Sequence, residues 1–522
     1  MSRAGTQAVV IGAGHNGLIA AYYLARAGIT TTVLERRNDV GGGAVTGTLH
    51  PGFLCPTLSH NVLLHQRIVT EMDLRRHGAE FLTPAARVFA PSPTTPVALY
   101  DDVTQSAESL GRISRADADA YVAFRATAAN LAGVLATLLE APPPDVDAVK
   151  GGDLWNLLKT ARAFRGLDPR DGHRLLRWLP MPVADLMVDT FSTDALRAAV
   201  AAPGLSGTML GPRSAGSTLV LMLLEAHQRL AGGSRRVRGG PGALTRALAT
   251  AARAAGATIR TGVSVDRVVV SGGRVTAVGA GAEEIPASVV ISTLDPQTTL
   301  LGLVGAEHLD PTIMSRIRNY RAKGTVAKVN LALSAMPSFE GAGRDEAILS
   351  GRIHIGPTLD YMERAFDHAK YGQVSADPWL EVTIPSILDP ALAPPRAHVV
   401  SVYAHYTPHR LRTGPWSSWR NAVLASTLRV LDRHAPGLSS LVVASQLITP
   451  DDLERDYGLS GGHIFHGELA PDQLFVMRPL LGHGRYRGPV AGLYLGGAGT
   501  HPGGFLTGAS GRLAAQAALR DS

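Results

Sequence analysis

A glycine-rich turn between two short apolar runs constrains the fold of this chain more than any other feature. Gly12, Gly14 and Gly17 stand in a G-x-G-x-x-G spacing directly after the β-branched run of residues 8–11. That run predicts a buried parallel strand, and the helix-forming residues that follow predict a helix. A second strand then ends in Glu35. Strand, turn, helix, strand and acid in this order predict a nucleotide-binding βαβ unit.

The residues of the turn have separate expected roles. Gly12 permits the tight turn, Gly14 lets the backbone approach a pyrophosphate, and Gly17 lets the helix pack closely on the strand. The first helical turn, which contains His15 and Asn16, points free N–H groups and partial positive charge at the phosphate. We therefore expect all five residues at the cofactor site.

Glu35 restricts the identity of the nucleotide. It lies about twenty residues after the turn, where a carboxylate accepts hydrogen bonds from both ribose hydroxyls. The same carboxylate would repel a 2′-phosphate. The expected cofactor is therefore FAD or NAD rather than NADP.

Composition limits the reaction class and the partners. Cys55 is the only cysteine, so the chain has no redox pair, and disulfide reductases are excluded. The formal net charge is +7, but aromatic residues make up only 5% and no recognised nucleic-acid motif is present. We expect no nucleic-acid partner. The positive charge suits an anionic membrane or an anionic ligand.

The sequence has no clear targeting signal. No charged segment with a cleavage site precedes the first strand, and no uninterrupted apolar run reaches membrane-spanning length. We expect a cytoplasmic protein, soluble or peripheral to a membrane. In residues 154–179, apolar side chains alternate with six Lys and Arg residues, which indicates either a basic amphipathic surface or a solvated basic face over a local core.

A second glycine-rich turn, RRNDVGGGAVT, follows Glu35. With this turn the sequence resembles the flavoprotein amine oxidases and phytoene desaturases, in which such a loop passes the diphosphate and the flavin. The resemblance implies FAD and places Arg36 near the adenosine. It assigns to the cofactor loop the residues Gly41, Gly42, Gly43, Ala44 and Thr46.

Two later segments resemble the same family. RGGPGAL at 238–244 leads into alternating residues 263–270, a glycine turn and residues 275–278, a hairpin pattern; in the family the residue at Val265 contacts adenine through its backbone. Near the end, GGAGTHPGGFLTGAS resembles the last FAD segment of carotenoid desaturases. It resembles still more the subgroup named pyridine-nucleotide-disulfide oxidoreductase-domain proteins. This segment assigns to FAD the residues Gly499, Thr500, Thr507, Gly508 and Ala509.

The predicted fold class is α/β, with a Rossmann-type FAD-binding domain interleaved with an α+β substrate domain. The FAD-binding domain is predicted in three parts, at 1–80, 232–300 and 481–522. The substrate domain is predicted at 81–231 and 301–480.

The resemblance implies an FAD-dependent dehydrogenase or desaturase that takes hydride from an apolar or amphipathic small molecule, such as an isoprenoid or a secondary metabolite. His501 is our candidate catalytic residue, because its segment is expected beside the flavin. His60, His463 and His466 are candidate substrate residues. No matching carboxylate or cysteine set lies near the two neighbouring histidines in sequence, so no metal is expected.

Three other functions stay open at this stage. An amine oxidase would take hydride from a neutral amine, although no pair of flanking aromatic residues is assignable. A flavin-dependent isomerase or saturase would use reduced flavin. A flavin-binding, membrane-associated scaffold would show no turnover.

Overall fold

The computed structural model describes residues 7–145 and 151–522. The strands are β1 (Gln7–Ile11), β2 (Thr30–Glu35), β3 (Thr46–His50), β4 (Phe53–Pro56), β5 (Phe81–Leu82), β6 (Val88–Ala90), β7 (Val97–Leu99), β8 (Arg236–Val237), β9 (Thr258–Thr261), β10 (Arg267–Ser271), β11 (Arg274–Ala280), β12 (Glu283–Pro286), β13 (Val289–Ser292), β14 (Val326–Leu333), β15 (Arg352–Ile355), β16 (Leu380–Thr383), β17 (His398–His405), β18 (Val442–Ile448) and β19 (Leu493–Leu495). The helices are α1 (His15–Arg26), α2 (Gln66–Glu71), α3 (Val103–Gly111), α4 (Arg115–Leu139), α5 (Gly151–Arg165), α6 (Pro169–Trp178), α7 (Val183–Thr190), α8 (Asp194–Ala201), α9 (Ser217–Ala231), α10 (Gly240–Ala254), α11 (Pro311–Arg318), α12 (Glu346–Leu349), α13 (Leu359–Lys370), α14 (Pro385–Leu388), α15 (Arg420–His434), α16 (Pro450–Tyr457) and α17 (Ala509–Asp521). The predicted α/β class is confirmed.

A five-stranded parallel sheet contains the βαβ unit, in the order β19-β13-β1-β2-β9. Helices α1, α10 and α17 pack on one face of it, and the antiparallel sheet β10-β11-β12 packs on the other. The chain passes from β1 outward to β2 on one side and later adds β13 on the other. The order therefore reverses at β1, and ligands bind outside the carboxyl ends of the strands at such a point.

Local predictions for this region hold closely, with one displacement. Helix α1 begins at His15, so His15 and Asn16 lie in its first turn as expected. The first strand of the hairpin begins at Arg267 instead of Val263. The Val263 amide donates to the carbonyl oxygen of Glu35 at 2.9 Å. This bond holds the preceding residues against the end of β2, outside the hairpin.

A second large sheet has seven strands, in the order β18-β14-β17-β16-β15-β6-β7. Side chains along its strands alternate between two faces, and the apolar face forms a hydrophobic core with α15. The opposite face, which we call the polar face, carries Lys328, Asn330, Arg352, His354, Glu381, Thr383, Ser401, Tyr403 and His405. All of these except Arg352 are buried. Buried polar groups require partners or a ligand, so this face is unusual for a sheet core.

A helical layer, α3 to α9, covers one side of the molecule. Ser114 caps α4 by accepting a hydrogen bond from the Asp117 amide at 3.2 Å. Helix α4 is long and apolar enough to cross a membrane, but half of its most apolar window is buried within the fold. A core helix passes the same test, so this is weak evidence for a span.

The sheets draw their strands from alternating parts of the chain. The five-stranded sheet uses strands from 1–80, 232–300 and 481–522, and the seven-stranded sheet uses strands from 81–231 and 301–480. The exact domain boundaries stay a prediction.

Candidate functional site

Two glycine turns meet at the carboxyl ends of β1 and β2. Gly41 donates from its amide to the Ala13 carbonyl at 2.9 Å, and a Cβ on Gly42 would lie 3.1 Å from the Cα of Gly14. Gly12 has a φ of +95°, which disfavours any side chain. Helix α1 begins without a side-chain cap at Gly14. The turns thus expose backbone and free helical N–H groups along one narrow surface, an arrangement suited to a diphosphate.

Glu35 is buried at the same edge. Its Oε2 accepts a hydrogen bond from the Ala13 amide at 2.8 Å, and its Oε1 accepts one from the Arg37 amide at 3.0 Å. These bonds link the acid at the end of β2 to the first glycine turn and fix its orientation. Each carboxylate oxygen keeps a further lone pair for a ribose hydroxyl.

These features line a cleft of about 420 Å³. Nine of the predicted cofactor residues lie on its wall: Gly12, Gly14, His15, Asn16, Glu35, Arg36, Gly42, Gly43 and Val265. The structure adds wall residues that the sequence analysis did not name, among them Thr293, Asp295, Tyr457, Phe465 and Phe505. The cleft therefore brings together the first two FAD segments and the hairpin segment.

Nine other predicted cofactor residues lie behind the wall, among them Gly41 and Thr46, whose hydroxyl donates to the Gly239 carbonyl at 2.9 Å. Gly17 packs on the Gly12 carbonyl, and the Ala44 carbonyl accepts from the Thr245 hydroxyl at 3.1 Å. The remaining five, in the last segment, are Gly499, Thr500, Thr507, Gly508 and Ala509. These five residues flank Ala498 and Gly504 to Leu506 in the chain, and it is those flanked residues that line the cleft.

The structure places His501 outside the cleft. Its ring is buried, and its Nε2 lies 3.0 Å from the carbonyl oxygen of Leu138 at the end of α4. Burial lowers its pKa to about 4. Its Nε2 is occupied by this backbone contact, and His501 does not line the cleft. The geometry therefore gives no support to the predicted catalytic role.

A second cavity, of about 110 Å³, adjoins the cleft. Five residues line both: Ser59, Tyr403, Ile464, Phe465 and Phe505. The polar face of the seven-stranded sheet forms part of its wall through Arg352, Glu381, Tyr403 and His405. A small molecule in this cavity would contact whatever occupies the near end of the cleft.

His60 lies one layer behind the second cavity. Its Nε2 donates to Glu381 Oε1 at 3.0 Å, and its Nδ1 lies 3.0 Å from the Ser401 hydroxyl, which also accepts from the Lys328 ammonium at 2.5 Å. Burial opposes ionisation of Glu381, but the His60 hydrogen bond and the Arg352 charge outweigh it and lower the Glu381 pKa. Burial lowers the pKa of Lys328 to about 7. His60 therefore positions Glu381 and does not itself line the cavity.

The other two candidate substrate histidines have different places. The Nδ1 of His463 accepts from the amide of Phe465 at 3.1 Å, so this residue stabilises its own turn. His466 lines the cleft, not the second cavity. Burial, together with charge repulsion from His466, lowers the pKa of His15 to about 3. Among the described residues no three His, Cys, Asp or Glu side chains come together as a metal site.

The donor set and the shape of the cleft fit a flavin dinucleotide. A side chain on Gly42 would close the gap between the two turns, and one on Gly12 would meet the Thr293 hydroxyl at 2.8 Å. The bare backbone at these turns suits a diphosphate, Glu35 suits a ribose, and the apolar wall at Phe465 and Phe505 suits a planar ring.

We expect Glu35→Gln to weaken binding of the dinucleotide by about 10- to 100-fold, since a charge-assisted hydrogen bond contributes about 1.5–3 kcal/mol. The amide would also direct an N–H group at the Ala13 or Arg37 amide. Fluorescence titration of the apoprotein with FAD measures the change. Asp39→Asn, which removes an exposed acid four residues later, should bind like the wild type. If the two variants bind FAD with equal affinity, Glu35 does not contribute to binding the cofactor.

Comparison with known proteins agrees with this geometry. The model of the family described as flavin containing amine oxidoreductase matches residues 17–410. Pyridine nucleotide-disulfide oxidoreductase domain-containing protein 2 of Rattus norvegicus is 37% identical over 98% of this chain and 93% of its own. Hydroxyneurosporene desaturase of Cereibacter sphaeroides is 28% identical over 98% of this chain and 97% of its own. An oxidoreductase structure from Methanosarcina mazei shares the fold, with a TM-score of 0.58, 16% identity and coverage of 98% and 100%.

Proposed function

Because the chain belongs to the flavin containing amine oxidoreductase family and is an FAD-dependent oxidoreductase, we propose that it is a dehydrogenase or desaturase of an amphipathic small molecule. The observation that carries this proposal is the wall shared by the cleft and the second cavity, formed by Ser59, Tyr403, Ile464, Phe465 and Phe505. A substrate in the second cavity would lie directly against the cofactor end of the cleft.

A bound flavin accepts a hydride from a substrate C–H or N–H bond. The protein's own contribution is to place the substrate and to exclude water. Phe465 and Phe505, whose ring centroids are 4.6 Å apart, form an apolar partition at the junction of the two cavities. Glu381, held by His60 and Asn61, is an acceptor-only group on the wall of the second cavity.

Anaerobic reduction tests the proposal. The purified protein is mixed, without oxygen, with a panel of alcohols, carboxylic acids, amines and polyenes, and its visible flavin bands are followed. Bleaching by one class supports a dehydrogenase and identifies the substrate class. If only amines bleach the flavin, the chain is an amine oxidase. If one class of compound is converted to product while the flavin bands stay unchanged, the chain is an isomerase and not a dehydrogenase.

We further propose that the enzyme is cytoplasmic and lies peripherally on an anionic membrane. The α5–α6 surface supports this: its exposed apolar residues are Leu154, Trp155, Leu157, Leu158, Phe164 and Leu176, and its exposed basic residues are Lys159, Arg162, Arg165, Arg170, Arg174 and Arg177. Leu175 and Trp178 are buried in the core of the helical layer, and Ala163, Leu167 and Leu179 pack partly against it. Apolar side chains between basic ones match the boundary of an anionic bilayer.

The double variant Trp155→Glu, Leu158→Glu should lose most sedimentation with vesicles of phosphatidylserine and phosphatidylcholine. Burial of one large apolar side chain contributes about 1.5–3 kcal/mol, so the partition coefficient should fall more than about tenfold. Val443→Glu, on the edge strand β18, is the control, since Val443 is similarly exposed but lies outside the surface. Equal sedimentation of the two variants, or insensitivity of the wild type to salt, would rule out this docking surface.

A further inference from the structure

The second cavity carries more positive charge than its own residues neutralise. Arg87, Arg235, Arg236 and Arg352 line it, and Glu381 is the one carboxylate among the described residues of its wall. The parallel pairing of β6 with β15 places Arg352 beside Val88, the residue after Arg87. Arg236 lies in β8, and Arg235 directly precedes it.

Neighbouring acids compensate only part of it. Glu225 forms an ion pair with Arg87, but it also accepts from Arg125 at 2.8 Å, so one carboxylate serves two guanidiniums. Glu381 lies 3.5 Å from Arg352, while its other oxygen is occupied by His60 and Asn61.

Arg236 has no acidic partner. Its guanidinium donates to the carbonyl oxygen of Arg235 at 3.4 Å and forms no ion pair with any carboxylate in residues 7–145 or 151–522. Glu381 attracts it only at longer range. A guanidinium held inside the fold without a counter-ion is costly unless an anion binds there. Of the four arginines, Arg236 is therefore the one whose charge is best suited to pair with an anionic group of a ligand.

A second observation points to a polar ligand at the same wall. His405 is buried, and its Nε2 has no hydrogen-bond partner among the described residues. Trp379 stacks on its ring with a centroid distance of 3.6 Å, which holds the imidazole in place. Buried polar atoms in proteins are normally hydrogen-bonded, so a polar group is expected to complete this one.

Apolar side chains also line the cavity, next to the cleft. They include Val62, Leu63 and Leu224, together with the shared Phe465 and Phe505. A ligand that fits therefore has a charged end among the arginines and a hydrocarbon body that extends toward the cofactor. Guanidinium forks bind carboxylate and phosphate oxygens in pairs.

We propose that the second cavity selects substrates with an anionic head group, a carboxylate or a phosphate, anchored by Arg236 with Arg87 and Arg352 beside it. The inference deepens the proposed function and rests on it for the statement that the ligand is a substrate. The same positive charge repels a protonated amine. Purely hydrocarbon substrates would leave Arg236 and His405 without partners.

Calorimetric titration of the holoenzyme with hexanoate, hexanamide, hexylamine and hexyl phosphate tests the proposal. Hexanoate and hexanamide have nearly the same shape, so their difference reports the charge. We expect hexanoate or hexyl phosphate to bind at least about tenfold more tightly than hexanamide, and the tighter of the two identifies the head group.

Arg236→Gln should reduce that preference about tenfold without changing hexanamide binding, and Arg236→Lys should retain part of it. Arg112→Gln is the matched control, since it removes an exposed positive charge outside the cavity. The melting temperature of each variant checks that it is folded. Equal binding of hexanoate and hexanamide, tightest binding of hexylamine, or an equal loss in Arg112→Gln would overturn the proposal. Because calorimetry does not depend on flavin reduction, an anion preference without turnover would contradict the proposed function alone.

Discussion

Gly17→Ala is expected to remove most of the bound flavin from the purified protein. A Cβ at this position would lie 1.9 Å from the carbonyl oxygen of Gly12, a backbone atom that cannot rotate away. Helix α1 would have to move off the turn, and its N-terminus would leave the diphosphate position. Overpacking of this kind costs about 1–3 kcal/mol, which corresponds to about a 5- to 150-fold loss of affinity. The ratio of flavin to protein absorbance measures it.

The control for this variant is Gly133→Ala in the middle of α4. No atom lies within 4 Å of a Cβ at Gly133, and both glycines are helical. Alanine is favoured over glycine in a helix by about 0.5–1 kcal/mol, so this variant should be at least as stable as the wild type and keep its flavin. Wild-type flavin content in Gly17→Ala would contradict the description of the turn.

Acid should destabilise the protein steeply below pH 6.5. Seven buried histidines have lowered pKa values, and burial is the largest cause for each: His60 and His501 at about 4, His65, His354, His405 and His463 at about 3, and His227 well below its ordinary value. The unfolded chain protonates them near pH 6.5, whereas the folded chain does not. Their stabilisation is therefore complete above about pH 6.5 and is lost as pH falls toward 4.

Each such histidine reduces the free energy of unfolding by about 1.4 kcal/mol per pH unit in this window. Thermal melting at pH 7.5, 6.5, 5.5 and 4.5 should show a progressive fall that begins above the ordinary range of carboxylates. His405→Phe should lessen the slope by one histidine, because a phenyl ring can still stack on Trp379. Constant melting temperature from pH 7.5 to 5 would show that these histidines are protonated in the folded protein.

The nucleotide-binding half of the site was predictable from local sequence. Gly12, Gly14 and Glu35 act through backbone geometry and a fixed spacing within one βαβ unit. Such a spacing can be recognised directly in the sequence. Family membership and FAD follow from the three glycine segments together.

The second cavity was not predictable in this way. Arg236, Arg352 and Glu381 come from the separate strands β8, β15 and β16, and Arg87 directly precedes β6. Their approach depends on the pairing of β6, β15 and β16 and on the position of β8, which no local sequence pattern reveals. A signal does exist, because residues 326–333 and 398–405 alternate apolar residues with Lys, Asn, Ser, Tyr and His. Alternation normally marks a solvated face. Here the polar side is buried.

The roles predicted for the histidines depend on side-chain orientation, which the sequence does not give. His501 and His463 stand in glycine-rich segments that resemble cofactor loops, yet both rings contact backbone atoms. A sequence motif locates a loop, but the rotation of each side chain depends on packing with distant elements such as α4.

The most direct test of the account is the flavin content of the purified wild-type protein, measured from its visible spectrum and by identifying the cofactor released on denaturation. The account predicts one FAD per chain, with content reduced in Gly17→Ala and Glu35→Gln and retained in Gly133→Ala and Asp39→Asn. A folded wild-type protein that is colourless and does not take up added FAD would contradict it.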